Sequence, residues 1–151
     1  MKRIYMSMNK KGFTLVELVI VVIILGVILV FALPNITSTL ERNKKDQMII
    51  DAKDMVEKAK NYALKTNGIY PTYGCSNELK LSDIDPRNEI KDSPFGVKYS
   101  DSSYVKICLN SSSGSYEYKV YLSDDYNNRI EEVNYMDLDK AGKYNKVIIA
   151  S

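Results

Sequence analysis

One carboxylate stands out near the start of this chain, in Lys10-Lys11-Gly12-Phe13-Thr14-Leu15-Val16-Glu17-Leu18. Between Phe13 and Leu33 only Thr14 and Glu17 are polar, and from Leu18 to Leu33 there is no polar side chain. An ionised group deep in an apolar phase costs about 3 kcal/mol on insertion scales. Glu17 therefore needs an escape or a partner. One reading lets it snorkel from the first turn of a helix to lipid headgroups. The other gives it a cationic partner inside an assembled structure. A chain cut after Gly12 would supply such a cation, the α-amine of Phe13.

The element that must carry Glu17 is the apolar run itself. Phe13 to Leu33 is 21 residues, which as a helix spans about 31 Å, the thickness of a bilayer's hydrocarbon. Its Val and Ile content suits a buried strand, but no ordinary strand is this long. In lipid a helix also satisfies its own backbone groups. Lys2, Arg3, Lys10 and Lys11 precede the run and no acid lies in residues 1–12. The positive-inside bias then puts the amino terminus in the cytoplasm and the remainder outside. Ordinary signal-peptidase cleavage before Leu33, at Val30-Phe31-Ala32, is a competing reading, which the length of the run and Pro34 directly beyond it both disfavour.

The junction and the acid together resemble the cleavage and methylation motif of type IV prepilins and the related pseudopilins and competence pilins. The resemblance covers about residues 10–34. It implies a membrane-embedded peptidase that cuts after Gly12 and methylates the new terminus on Phe13. It implies that Glu17 neutralises the terminus of a neighbouring subunit. Gly26 and Pro34 stand where the family often has a glycine and a proline, and are carried over as assembly residues. The implied fold is α+β and pilin-like: a long amino-terminal helix, its first half in the membrane, packed on a small antiparallel β-sheet head. The implied partners are the peptidase and methylase, further copies or sister pilins in a helical filament, and the membrane. The implied location is the cytoplasmic membrane for the precursor, with the head outside, and then an extracellular filament.

Four segments follow: a leader at 1–12, a transmembrane or filament-core helix at 13–34, an amphipathic continuation at 35–67 and a head at 68–151. Pro34 should kink the helix or weaken one turn. Beyond it Ile36, Leu40, Met48, Ala52, Met55, Ala59, Tyr62 and Ala63 mark one helical face. Glu41, Lys45, Asp46, Asp54, Glu57, Lys58 and Lys65 mark the other, with Asp54 and Lys58 as an i,i+4 pair. Gly68 and Pro71 end the helix. Residues 69–96 read as irregular. Strands are expected at 104–110 and 116–122, joined by a Ser-rich hairpin loop, and further ones at 130–133 and 147–149. Gly68-Ile69-Tyr70-Pro71 and Asp92-Ser93-Pro94-Phe95-Gly96-Val97-Lys98-Tyr99 resemble loop signatures of the major pseudopilin branch, with Ser93 inserted and Phe95 in place of a Trp. The physical reading is turn chemistry, with the aromatic covering the helix.

Composition excludes several functions. There is no His, so His-based triads, His-ligated metals and His proton switches are ruled out. Four of the 21 basic side chains lie in residues 1–12, which leaves 17 against 19 acids. The bulk charge of the remainder gives no case for nucleic-acid binding. Twelve Tyr suit a half-exposed sheet, with an adhesive face as the alternative. Cys75 and Cys108 are the only cysteines; outside the membrane they are a disulfide candidate. No cofactor is expected. Calcium is a weak option: Asp137 and Asp139 open an EF-hand-like run, but Ala141 and Ile148 stand at ligand positions. Asp124, Asp125, Asn127 and Asn128 form another acidic turn, read as a solvated hairpin tip. Glu131 and Glu132 read as surface charge, and no enzyme motif is present. The expected function is a pilin-like structural subunit. The alternatives are a secretion-system pseudopilin or competence pilin, and an uncut single-pass anchor with a binding head.

Overall fold

The computed structural model describes residues 13–139 and 147–150, the side chains of 33–35 excepted. The proposed leader, with Gly12, and Lys140, Ala141 and Gly142 of the calcium candidate lie outside the described residues. The chain divides into two compact units, 1–40 and 41–151. One α-helix, α1 (Leu15–Lys65), runs through both and is continuous through position 34.

In the first unit the span Leu15–Ala32 has a mean hydropathy of 3.3 and none of it is buried. By length and composition it can cross a membrane. Phe13 is 82% exposed, and every large apolar side chain from Leu15 to Phe31 is exposed as well.

In the second unit α1 is amphipathic. Met48, Ile49, Ala52, Met55, Val56, Ala59 and Ala63 are buried. Their three- and four-residue spacing builds one stripe. The alanines let a sheet approach the helix closely. That sheet has five antiparallel strands in simple chain order: β1 (Leu79–Lys80), β2 (Tyr104–Leu109), β3 (Tyr116–Ser123), β4 (Arg129–Asn134) and β5 (Val147–Ile148). Val105, Ile107, Val120, Leu122, Ile130 and Val147 point at the helix and close the core with it. A bulge lies between Val120 and Leu122, opposite β4. The other face is wet, as an antiparallel sheet allows. On it Tyr104 stacks on Tyr121 at 5.3 Å, and Glu132 accepts from Tyr104 Oη at 2.8 Å and Lys106 Nζ at 3.1 Å.

The α+β pilin-like fold expected from sequence is therefore present, with differences of detail. Ile36 and Leu40 are exposed and do not extend the core stripe, because the core begins only at Met48. Lys58 does not serve a solvated face with Asp54; it pairs with Glu89 and, at 3.4 Å, with the buried Asp85. Residues 69–96 are less irregular than expected, since they hold β1 and a single helical turn, α2 (Leu81–Ile84). Both elements are too short for periodicity to announce them.

Two features fix the pH range of the head. Burial alone would raise Asp85, but the Ile90 and Glu89 N–H groups and the Lys58 ammonium bring its carboxyl below the usual range. A depressed acid stabilises the fold above its unfolded value and loses that contribution as pH falls. Stability should therefore decline on acidification below about pH 4. At the other end, Tyr99 donates to Asp51 Oδ2 at 2.5 Å. Burial first, and then that carboxylate, push its phenol far up. Burial and the Tyr70 hydroxyl push Tyr118 up to about 12. A raised phenol stabilises the fold below its unfolded value and is lost as pH rises through the folded value. Spectrophotometric titration of the folded head should show the Tyr118 phenol ionising well above the ordinary tyrosine range. Tyr99 should ionise only with unfolding. Reversible ionisation of Tyr99 while the head stays folded would contradict this.

Candidate functional site

The start of α1 is built by Thr14 and Glu17. Thr14 precedes the first helical residue, Leu15, and Glu17 is the third. The Thr14 backbone N–H donates to Glu17 Oε2 at 3.2 Å, and the Thr14 hydroxyl donates to the same oxygen at 3.2 Å. The Glu17 N–H donates back to Thr14 Oγ1 at 3.3 Å. This is a capping box, in which two end donors of the helix are satisfied reciprocally. A carboxylate in the first turn also meets the positive end of the helix dipole. The Thr-x-x-Glu spacing is the sequence signal for this local partner, which neither snorkelling nor a distant cation requires.

The capping box has a chemical consequence. Glu17 is held at the end of the helix, three residues from Thr14 and four from Phe13. Its carboxylate stays aimed at the region where a free Phe13 amine would lie. Gly26 sits midway along the apolar span, and a Cβ built there would meet nothing within 4 Å. The surface at Gly26 is thus open to a close neighbour.

The head carries the remaining candidates. Cys75 and Cys108 are joined in a disulfide. They face each other as a bridge pair, flanked by Ser76 N–H to Ile107 O at 2.7 Å and Leu109 N–H to Gly74 O at 2.8 Å. The bond ties the segment after α1 to β2 and joins positions 33 apart in sequence. By the chain-entropy argument such a closure contributes about 3–4 kcal/mol.

The turn at 124–128 meets its expectation only in part: Asp125 and Asn127 are exposed, whereas Asp124 and Asn128 are buried. Asp124 is no solvated tip: it is 2% exposed. Its Oδ1 accepts from the Tyr126 N–H at 3.0 Å and the Asn128 N–H at 2.9 Å. Its Oδ2 accepts from Ser93 Oγ and Asn128 Nδ2, each at 2.8 Å. Asn128 Oδ1 then accepts from the Ala150 N–H at 2.9 Å. One carboxylate thus joins three segments. Ser93, the residue inserted in the 92–99 loop, is the loop's contribution to this knot. Phe95 packs on the core, with Lys44 Nζ 5.0 Å above its ring. That is the covering role turn chemistry implied.

Of the calcium candidates, Asp139 is engaged by Lys53 Nζ at 2.5 Å, and Asp137 lies in a short 3-10 turn, Tyr135–Asp137. Among the described residues no cluster of three or more acidic, His or Cys side chains is placed to hold a metal.

Comparison with known proteins points to the amino-terminal segment first. Residues 7–33 match the family model described as the prokaryotic N-terminal methylation motif. The "Type II secretion system core protein G" of Vibrio cholerae serotype O1 (strain ATCC 39315 / El Tor Inaba N16961) is 30% identical over 101 residues, 65% of this chain and 62% of that protein. The protein of the same name from Dickeya chrysanthemi is 28% identical over 106 residues, 62% of this chain and 69% of that protein. The chain thus spans less than two thirds of the first of these relatives. No solved structure matches. Residues 7–33 thus carry the prepilin-type N-terminal methylation motif, and over about two thirds of its length the chain is similar to pseudopilins of the type II secretion system.

Proposed function

We propose that this chain is a pilin-like structural subunit. It enters the membrane as a precursor with the head outside, is cut after Gly12 and methylated on Phe13, and assembles through its apolar helix into an extracellular filament. The observation that carries the reading is the wholly exposed apolar span, whose one carboxylate is fixed at its amino-terminal end by Thr14. Such a span is stable in lipid, or when reburied among copies of itself. A Phe13 amine from a neighbouring subunit would neutralise Glu17 and set the axial register. The chain is a substrate of the peptidase and methylase, and catalyses nothing itself.

A second reading, a pseudopilin of a secretion system, is favoured by the printed names of the two relatives. It shares every processing step and differs in the length and location of the filament.

Intact mass and amino-terminal sequencing of the membrane-extracted protein test the processing. The expected chain begins at Phe13, carries one methyl group and is two hydrogens light for the Cys75–Cys108 bond. A chain beginning at Met1 would leave an uncut anchor and remove the assembly role of Glu17.

A further inference from the structure

Asn67 is the one asparagine in the sequence followed by glycine. The pair lies just beyond Lys65, where α1 ends, in a turn exposed at both residues. Gly68 has φ +83°, and a Cβ built on it would meet nothing within 4 Å. The space beside the Gly68 Cα is therefore open. The amide at Thr66 still bonds back to Tyr62 O at 3.0 Å, whereas the Gly68 N–H and the Asn67 carboxamide meet no partner among the described residues.

Other asparagine amides of the head are held. Asn110 Nδ2 donates to Glu117 at 2.6 Å, and its Oδ1 accepts from the Ser112 and Ser113 N–H groups. Asn128 is buried and shared between Asp124 and Ala150. Asn134 donates to Glu117 and accepts from the Met136 N–H.

We propose that Asn67 is a site of spontaneous modification, converted through a cyclic imide to aspartate and isoaspartate. The Gly68 nitrogen attacks Asn67 Cγ. An N–Cγ bond forms, the Cγ–Nδ2 bond breaks, and ammonia leaves with the proton from the Gly68 nitrogen. Water then opens the imide. Opening at Cγ gives aspartate, and opening at the backbone carbonyl gives isoaspartate. No oxidation or reduction is involved, and water is the only co-reactant.

The consequence is local. A new carboxylate appears at the negative end of the helix dipole, where it is unfavourable. The isoaspartyl form also lengthens the backbone just before Ile69 and Tyr70, which pack on the head core.

The test incubates the full-length folded protein in detergent at neutral and mildly alkaline pH, followed by peptide mapping that separates aspartate from isoaspartate. The expected result is conversion at residue 67, heavier by the replacement of NH2 with OH. It should run faster than at Asn110, rise with pH, and be lost in Asn67→Gln. Retention of the Asn67 amide while Asn110 converts would overturn the proposal. Conversion at residue 67 only after unfolding in urea would also overturn it, since the native turn would then be protective.

Discussion

Asp124→Ala is expected to unfold the head. Four donors converge on this one buried carboxylate, two backbone N–H groups at Oδ1 and two side chains at Oδ2. Truncation removes the acceptor of all four, three of them in buried bonds and the Tyr126 N–H in a part-buried one. Each unsatisfied buried donor costs about 1–3 kcal/mol. Even with partial relaxation the sum reaches about 3 kcal/mol or more, a large part of the stability of a small domain. Asp124→Asn should cost less. Its remaining oxygen still accepts the two backbone groups, and Ser93 can turn its hydroxyl to accept from the new NH2. Asn128 Nδ2, however, would then face another donor. The order wild type, Asn, Ala in denaturant midpoint checks the knot. Equal midpoints for all three would mean that Asp124 does not hold the segments together.

Glu17→Ala is expected to leave membrane insertion intact and abolish filament assembly. Insertion depends on the apolar run, which the change only lengthens. Two functions of Glu17 would be lost at once. The capping box contributes on the order of 1 kcal/mol. Neutralising a buried amine matters more, because an unpaired charge in an apolar interior costs several kcal/mol. Glu17→Gln separates the two. It keeps an acceptor for the Thr14 N–H and hydroxyl, and removes the charge. Filament yield from Glu17→Gln should be as low as from Glu17→Ala. Assembly of the Gln variant at normal yield would assign Glu17 to helix capping alone.

The structure gives the two Glu17 readings a common basis. Sequence reasoning set snorkelling against pairing with a distant amine. The Thr14 contacts provide a resting place for the carboxylate while the chain is alone. A side chain already turned to the helix end loses less freedom on meeting a neighbouring amine.

The head shows where local pattern stops being informative. β2 and β3 were legible because their alternation extends over six and eight residues. β1 and β5 have two residues each, and a two-residue strand has no period. β5 was recognised from its apolar run and β1 was not. Lys58 was assigned to solvent by its position on the helix. It is turned inward by Asp85 and Glu89, which lie on a segment 27 and 31 positions away.

By itself the sequence determined the long apolar helix, the single carboxylate in its apolar run, an amphipathic helical face beyond Pro34 and the α+β class. These rest on length, hydropathy and spacing, which act locally along the chain. Only the tertiary structure decided that Asp124 is a buried hub, that the inserted Ser93 serves it, and that Cys75 and Cys108 meet across a strand pair. Those outcomes depend on which distant segments are brought together. A carboxylate in an acidic turn looks the same in sequence whether water or four protein donors surround it. The difference lies in the core that Met48, Met55, Ile107 and Leu122 close between helix and sheet, because that core fixes where the loops around it must run.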